Sequence, residues 1–473
     1  MWRGDSNTMR DAQSVTTPAG PAAAGKRPPG PRGIPLFGNV FQMEADILKG
    51  YIGLWRRYGD VVELRFGPAR ARLIAHPEHV HHVLVKNQKN YVKGVGYDGL
   101  RLLLGNGLIT SDGELWRQQR RLVQPAFTPA AIGQFFDMMV EVTGRMLDRW
   151  RERAAEDGEV GMDLEMRRLT MTVIGRAMFG VDLGEDASTV GQALQSAFGY
   201  IPERATRPLS LPLAVPTARN RRFRRDLAVV DEFVTARIGE ARRRGHTGTL
   251  LDVLLGARDE ETGQPMTERQ LRDEVVTLFF AGFETTARSL TWAFYLLARH
   301  PEVAAALAAE ADAVLGGRDP AVADLYRLAC TRQVVDETLR LYPPTALLAR
   351  QNLEADEIGG YGLPPKTLVV LMPFLVHRFP GIWEEPERFD PDRFRPAAVE
   401  GRPRSAYIPF ASGPRVCVGN NFALMEMTIA LAMSAGRFRV TGVEEEPVPV
   451  VFVGVTRPAR PIRLRLHART RRE

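Results

Sequence analysis

The sequence predicts a mainly α-helical protein, a large helical body carrying a small β-sheet lobe. Three observations predict it. Helical stretches dominate from Pro77 to Arg299, and the longest runs from about Glu268 to Arg299, where His300-Pro301 closes it. Strand-like alternation is confined to short segments at Val61–Phe66, Ala71–Ala75, Leu368–Met372, Val448–Val455 and Ile462–Leu466. No repeat or long linker divides the 473 residues. Residues 28–473 therefore read as one domain. Residues 1–27 are polar, rich in Ala, Pro and Gly, and expected to be disordered.

Composition narrows the classes. The two cysteines, Cys330 and Cys417, lie too far apart in the chain to suggest a disulfide framework. The net charge of +7 is mild for this length. Basic clusters at Arg219–Arg225, Arg242–Arg244 and Arg463–Arg472 lack organised base-reading or stacking groups, which argues against nucleic-acid binding. They read as solvated helix faces and a tail, or as a docking surface for an acidic electron-transfer protein. Arginine in excess over lysine, with abundant Ala, Gly and Pro, fits a GC-rich bacterial genome. Val275–Phe283 is too short to span a bilayer and is followed by Glu284. The expectation is a soluble cytoplasmic protein.

Five motifs follow in chain order. Trp116 and Arg120, four apart on one helix face, are both strong donors to a carboxylate. Alone, such a basic run is an exposed helix face. Ala281-Gly282-Phe283-Glu284-Thr285-Thr286 interrupts the long helix with Gly and paired Thr, so a local widening or kink is expected. Alone, it is a core helix with an outward Glu. Glu337 and Arg340 share a face and can pair, and Pro343-Pro344 ends their helix. Alone, this is a common surface pair. Pro386-Glu-Arg388-Phe389 follows, with Arg393-Phe394 just beyond. Last comes Phe410-Ala-Ser-Gly413-Pro-Arg415-Val-Cys417-Val-Gly419, ahead of an apolar helical stretch from Asn421 to Ala435. A thiolate at a helix N-terminus is stabilised by orphan N–H groups and the helix dipole, which is expected to lower its pKa. Such a sulfur can be an axial ligand of haem iron. Alone, Cys417 is a buried structural thiol, and Cys330 reads the same way.

The last segment resembles the haem-binding signature of the cytochrome P450 family, Phe-x-x-Gly-x-Arg-x-Cys-x-Gly. Ala411 stands where many members carry Gly or Ser. The other four motifs resemble the family's in order, and Gly25–Gly33 resembles its proline-rich entry segment. The resemblance implies the cytochrome P450 fold and haem b (iron protoporphyrin IX) with Cys417 as iron ligand. It places Trp116, Arg120, Arg350 and Arg415 toward the haem propionates, and Phe410, Gly413 and Gly419 around the sulfur. It places Ala281 and Gly282 in the oxygen groove, with Thr285 holding oxygen and Glu284 relaying protons. It also implies a buried Glu337–Arg340–Arg388 network. Substrate contacts are expected in two irregular loops, 95–108 and 200–216, and at Tyr97, Leu103, Leu347 and Leu348.

The implied activity is a monooxygenase that hydroxylates or epoxidises a hydrophobic small molecule, such as a terpenoid, fatty acid or other secondary metabolite. O2 is the co-substrate. The chain shows no flavin or iron–sulfur segment, so electrons are expected from a ferredoxin and its reductase, or a flavodoxin, acting on a monomer. Oxidative coupling, peroxide-driven oxidation and a non-catalytic haem scaffold are the alternatives.

Overall fold

The computed structural model describes residues 26–39, 46–67, 69–205, 211–443 and 446–469. All but residues 26 and 27 of the expected disordered segment lie outside these, as do residues 206–210 of the second expected loop. Seven helices carry the site: α1 (Gly113–Val123), α2 (Met162–Phe179), α3 (Gly184–Ala205), α4 (Ala218–Arg244), α5 (Glu268–Arg299), α6 (Ala329–Leu341) and α7 (Asn420–Arg437).

Helix α5 has the bounds that its end signals predict. Thr267 and Gln270 form a reciprocal capping box at its start, with side-chain bonds of 2.9 and 3.2 Å. His300 leaves helical geometry, and Pro301 opens the next helix. Most of α5 is buried, so it forms the axis of the helical body. Its closest partner is α2. Gly282 allows this approach, because a Cβ there would lie 2.8 Å from Ile174 Cδ1. The expected kink does not interrupt the α-helical hydrogen-bonding pattern. The Thr285 hydroxyl instead donates to the Ala281 carbonyl at 2.7 Å within a continuous helix.

The sheet lobe has five strands: β1 (Val61–Phe66), β2 (Ala69–Ile74), β3 (Tyr91–Val92), β4 (Leu348–Asn352) and β5 (Leu368–Leu371). Their order is β1-β2-β5-β4-β3. The β2–β5 pair is parallel, with Ala71 opposite Leu368, and the other pairs are antiparallel. The expected strand 448–455 is a hairpin, β6 (Val450–Val453) and β7 (Val455–Pro458), turning at Gly454 with φ 76°. Arg463–Ala468 pairs with Glu159–Gly161 and Phe438–Gly442 in a separate sheet.

Both expected loops are partly helical. Residues 94–104 form a short 3-10 turn and the helix Asp98–Leu104, which buries Leu103 and Leu104. Helix α3 extends to Ala205. Near its end Tyr200 stacks on Phe223 of α4 at 4.4 Å and donates to Asn220 at 2.7 Å. This packing holds a helix where the proline content suggested a loop.

The Glu337–Arg340 pair is fully buried, at 2.6 and 2.8 Å. Arg340 also donates to the carbonyls of His377, Pro386 and Arg388, and Glu337 accepts the Asp390 amide at 2.9 Å. The third cation is not the Arg388 side chain, which is exposed and pairs with Glu385. It is Arg393, 3.6 Å from Glu337. The reason is geometric: Arg388 turns its backbone carbonyl to Arg340, which sends its side chain outward. Removing one partner of a buried pair strands the other charge, so Glu337→Ala is expected to lose about 3–5 kcal/mol in urea unfolding. Arg393→Ala should lose less. Arg388→Ala should leave the midpoint unchanged, and a severe loss there would restore Arg388 to the network.

Candidate active site

The cysteine loop is set by close backbone contacts. Gly413 has φ 73°, and a Cβ on it would lie 2.1 Å from the Leu84 carbonyl oxygen, so only glycine fits. Ala411 also has positive φ, 61°, which costs about 1 kcal/mol for a residue with a Cβ. The Cys417 amide donates to the Phe410 carbonyl at 2.9 Å, and Gly419 caps α7. A Cβ on Gly419 would meet only Phe127, at 3.8 Å. No protein contact therefore demands that glycine.

Cys417 has accessible surface, yet it sits deep enough for burial to push its thiol up from the ordinary value. The Gly419 amide and the Arg120 charge oppose this without overcoming it. The dipole argument thus has the right sign and loses to desolvation. The other cysteine, Cys330, is half-buried at the start of α6, with its thiol pushed up to about 11 by burial.

Beside this loop lies a cluster of buried cations. Arg350 is buried on β4 and donates to the Ala349 carbonyl at 2.7 Å and toward Tyr97 at 3.5 Å. Arg415 donates to the Ser111 carbonyl at 3.0 Å and to Asp112 at 2.8 Å, and stacks 4.2 Å over Trp116. The third is Lys93, 7% exposed, with Nζ 4.2 Å from the Tyr97 ring. Burial drives Lys93 well below its ordinary value, and Arg350 and Arg415 push the same way. Burial also lowers Arg415 to about 10. Asp112 is the carboxylate that faces Lys93 and Arg415. Lys93 and Asp112 were missed in the sequence because each is an isolated charge outside any motif.

Some expected residues fall elsewhere. Arg120 lies against the cysteine loop, donating to the Val416 carbonyl at 2.7 Å and to Gln124 at 3.1 Å. Tyr97 belongs to the cation cluster. Leu103 has no accessible surface and Leu348 little, so neither faces an open pocket. Leu347 packs with the sheet-lobe core.

On α5, Ala281, Gly282 and Thr285 keep partial exposure, whereas Glu284 is buried. Glu284 pairs with Arg288 at 2.8 Å, and Arg288 reaches Asp163 at 3.0 Å. Gln195 of α3 donates weakly to Glu284 at 3.4 Å. The Phe198 and Phe280 rings lie 4.5 Å apart, and the Gly454 tip sits so close that a Cβ would be 2.1 Å from Phe198. Phe280 is buried, so these rings pack α3 and the β6–β7 turn against α5.

The cytochrome P450 family description matches residues 28–466. Cyclooctatin synthase of Streptomyces melanosporofaciens is 40% identical, covering 89% of this chain and 90% of its own. Pentalenene oxygenase of Streptomyces avermitilis is 34% identical, covering 93% and 97%. A crystal structure of the cytochrome P450DA heme domain superposes with a TM-score of 0.86 at 28% identity, covering 95% of this chain and 99% of that one. The chain belongs to the cytochrome P450 family. It is a haem-thiolate monooxygenase, an oxidoreductase that inserts one atom of O2 into a hydrophobic substrate. Among the described residues, no helix is long and apolar enough to cross a membrane.

The residues present fit the haem. Arg350, Arg415 and Lys93 cluster here while Asp112 faces only the last two, and two propionates would supply the negative charge the cluster lacks. Cys417 offers the single soft ligand.

Farther along α5, Glu274 is buried, accepts the Leu108 amide at 3.1 Å, and has Oε1 unpaired. Burial pushes it up to about 8. Its folded value exceeds its unfolded one, so the folded state binds more protons. Its contribution is full below about pH 4.3 and is lost as pH rises toward 8. Glu274→Gln should flatten the stability–pH curve across that window and raise the thermal midpoint at its alkaline end. An unchanged slope would remove Glu274 as its source. Ala411→Gly should stabilise the protein by about 1 kcal/mol, read by chemical denaturation.

Proposed function

We propose that this chain oxidises a polycyclic terpenoid. The observation that carries this is its similarity to Streptomyces enzymes named for cyclooctatin, cyclooctat-9-en-7-ol and pentalenene. The bound group is haem b, residues 28–473 act as one monomeric domain, and a ferredoxin with its reductase supplies electrons in the cytoplasm.

Haem, when bound, would supply the oxygen chemistry, tuned by a cysteine thiolate ligand. Cys417 provides that thiolate; the Gly419 amide and Arg120 stabilise its charge. Lys93, Arg350 and Arg415 would hold the propionates, and Trp116 supports Arg415 from beneath.

Thr285 has a definite polarity. Its one proton is given to the Ala281 carbonyl, so toward the pocket it presents an oxygen lone pair. It therefore accepts a hydrogen bond, holding a proton donor in place beside the oxygen site. Glu284 is an ion-paired carboxylate. It moves a proton only after its hold on Arg288 loosens, which makes Arg288 a partner in proton control.

Three measurements test this reading. The reduced, carbon monoxide-bound protein should absorb near ~450 nm if Cys417 is the thiolate ligand; a fresh sample absorbing near ~420 nm would contradict it. Thr285→Ala should keep that spectrum while consuming oxygen without matching product, releasing peroxide instead. Unchanged coupling would take Thr285 out of the mechanism. A panel of polycyclic terpenes and terpene alcohols against long-chain fatty acids separates the substrate classes, and turnover of fatty acids alone would overturn the terpenoid reading.

A further inference from the structure

The segment 105–111 joins the helix Asp98–Leu104 to α1, and its two ends face different parts of the molecule. Its first half lies on α5. The Asn106 amide donates to Asp273 at 2.8 Å, and the Leu108 amide donates to Glu274. The seating is close. Gly105 has φ 59°, and a Cβ there would lie 2.2 Å from the Asp273 carboxylate; one on Gly107 would lie 2.1 Å from the Thr277 hydroxyl. Gln119 of α1 donates to the Asn106 carbonyl at 2.6 Å. Thr110 ties the loop to itself through the Gly105 and Gly107 carbonyls. The loop is therefore stiff enough to carry a displacement from one end to the other.

Its second half reaches the cation cluster. The Ser111 carbonyl and the Asp112 carboxylate are the groups that hold Arg415, and Asp112 also accepts the Lys93 amide.

Asp273 is itself held from behind. Arg272 donates to Asp273 at 2.9 Å and to the Leu103 carbonyl at 3.3 Å. The same guanidinium grips Asp231 of α4, with Nε at 2.8 Å and a second, shorter bond from Nη2. An unbroken path thus runs Asp231–Arg272–Asp273–Asn106, along the stiff loop, to Asp112 and Arg415. It joins an outer helix to a residue of the cysteine loop.

We propose that Arg272 is a positioning residue that couples the seating of α4 on α5 to the hydrogen bonding of Arg415. A displacement of α4 against α5 pulls on Asp273, shifts the loop and re-aims Ser111 and Asp112. Arg415 then changes its hold on the haem carboxylate. The last step rests on the assignment of Arg415 to that carboxylate; the earlier steps do not.

The test uses the haem-loaded protein. Asp231 is half-exposed, so Asp231→Asn should fold. Hydrogen exchange of peptides covering residues 104–111 should quicken roughly fivefold, the effect of one net hydrogen bond on local opening, with α7 and the sheet lobe unchanged. The haem midpoint potential should shift in the same variant. Arg272→Gln should do the same, and the double variant should add nothing, because both act through one tie. Unchanged exchange at 104–111, uniform quickening of the whole protein, or additive effects would overturn the coupling. Faster exchange with an unmoved potential would show that the path stops short of the haem and would overturn the proposal at its last link. A missing ~450 nm band in the wild-type protein would instead mark failure of the haem reading itself.

Discussion

The buried pair Glu337–Arg340 is the interaction on which the thiol side of the molecule depends. Burial raises Glu337 above the ordinary carboxylate range, and Arg340 is what holds it down. Every remaining Arg340 donor goes to a backbone carbonyl on the 377–388 segment, so one side chain fixes a long stretch without regular structure. The fixing extends to the cysteine loop through His377. Its Nε2 accepts the Ile408 amide at 2.9 Å, so its other ring nitrogen carries the proton and donates to the Arg340 carbonyl at 3.2 Å. Burial and two neighbouring arginines push His377 down to about 3, which keeps it neutral and in this tautomer. A chain of contacts thus runs from the ion pair of α6 to Ile408, just ahead of the cysteine loop.

Charge is handled differently in three buried places. At Glu337 an acid is matched by two arginines and one amide. Around Lys93, Arg350 and Arg415, cations outnumber the carboxylate, which suits an anionic guest. At Glu274 an acid has a single amide and is kept protonated by burial. Desolvation acts on all three, and the number of partners decides the outcome.

Much of this was legible in the sequence, and the gaps have physical causes. Helix α5 announces itself by a long helical pattern and by His300-Pro301 at its end, both local signals. Cys417 and Gly413 are legible because a backbone cradle leaves few residue types that fit. Arg393 was misread as Arg388 because both sit in Arg-Phe pairs, and only the fold shows which one turns inward. Lys93 carries no local signal, since its importance comes from Arg350 and Arg415, which are hundreds of residues away. The helix at 98–104 and the end of α3 are decided by packing against neighbours, which outweighs local Gly and Pro content. The partner of Glu284 is one helical turn away, yet its burial, which gives the pair weight, is a tertiary fact.

The parallel pairing of β2 with β5 sets an order of events during synthesis. Ala71 waits for Leu368, roughly 300 residues later, which is about 15–60 s of translation at 5–20 residues per second. Until then the β1–β2 hairpin has an open edge on its β2 side, with Leu73 and Ile74 uncovered. The nascent chain must therefore be shielded or stay loosely collapsed, while the helices between can begin forming on their own local contacts. Completion of the small lobe follows synthesis of every helix from α1 to α6, and yield in a foreign host should be governed by how well that waiting edge is chaperoned.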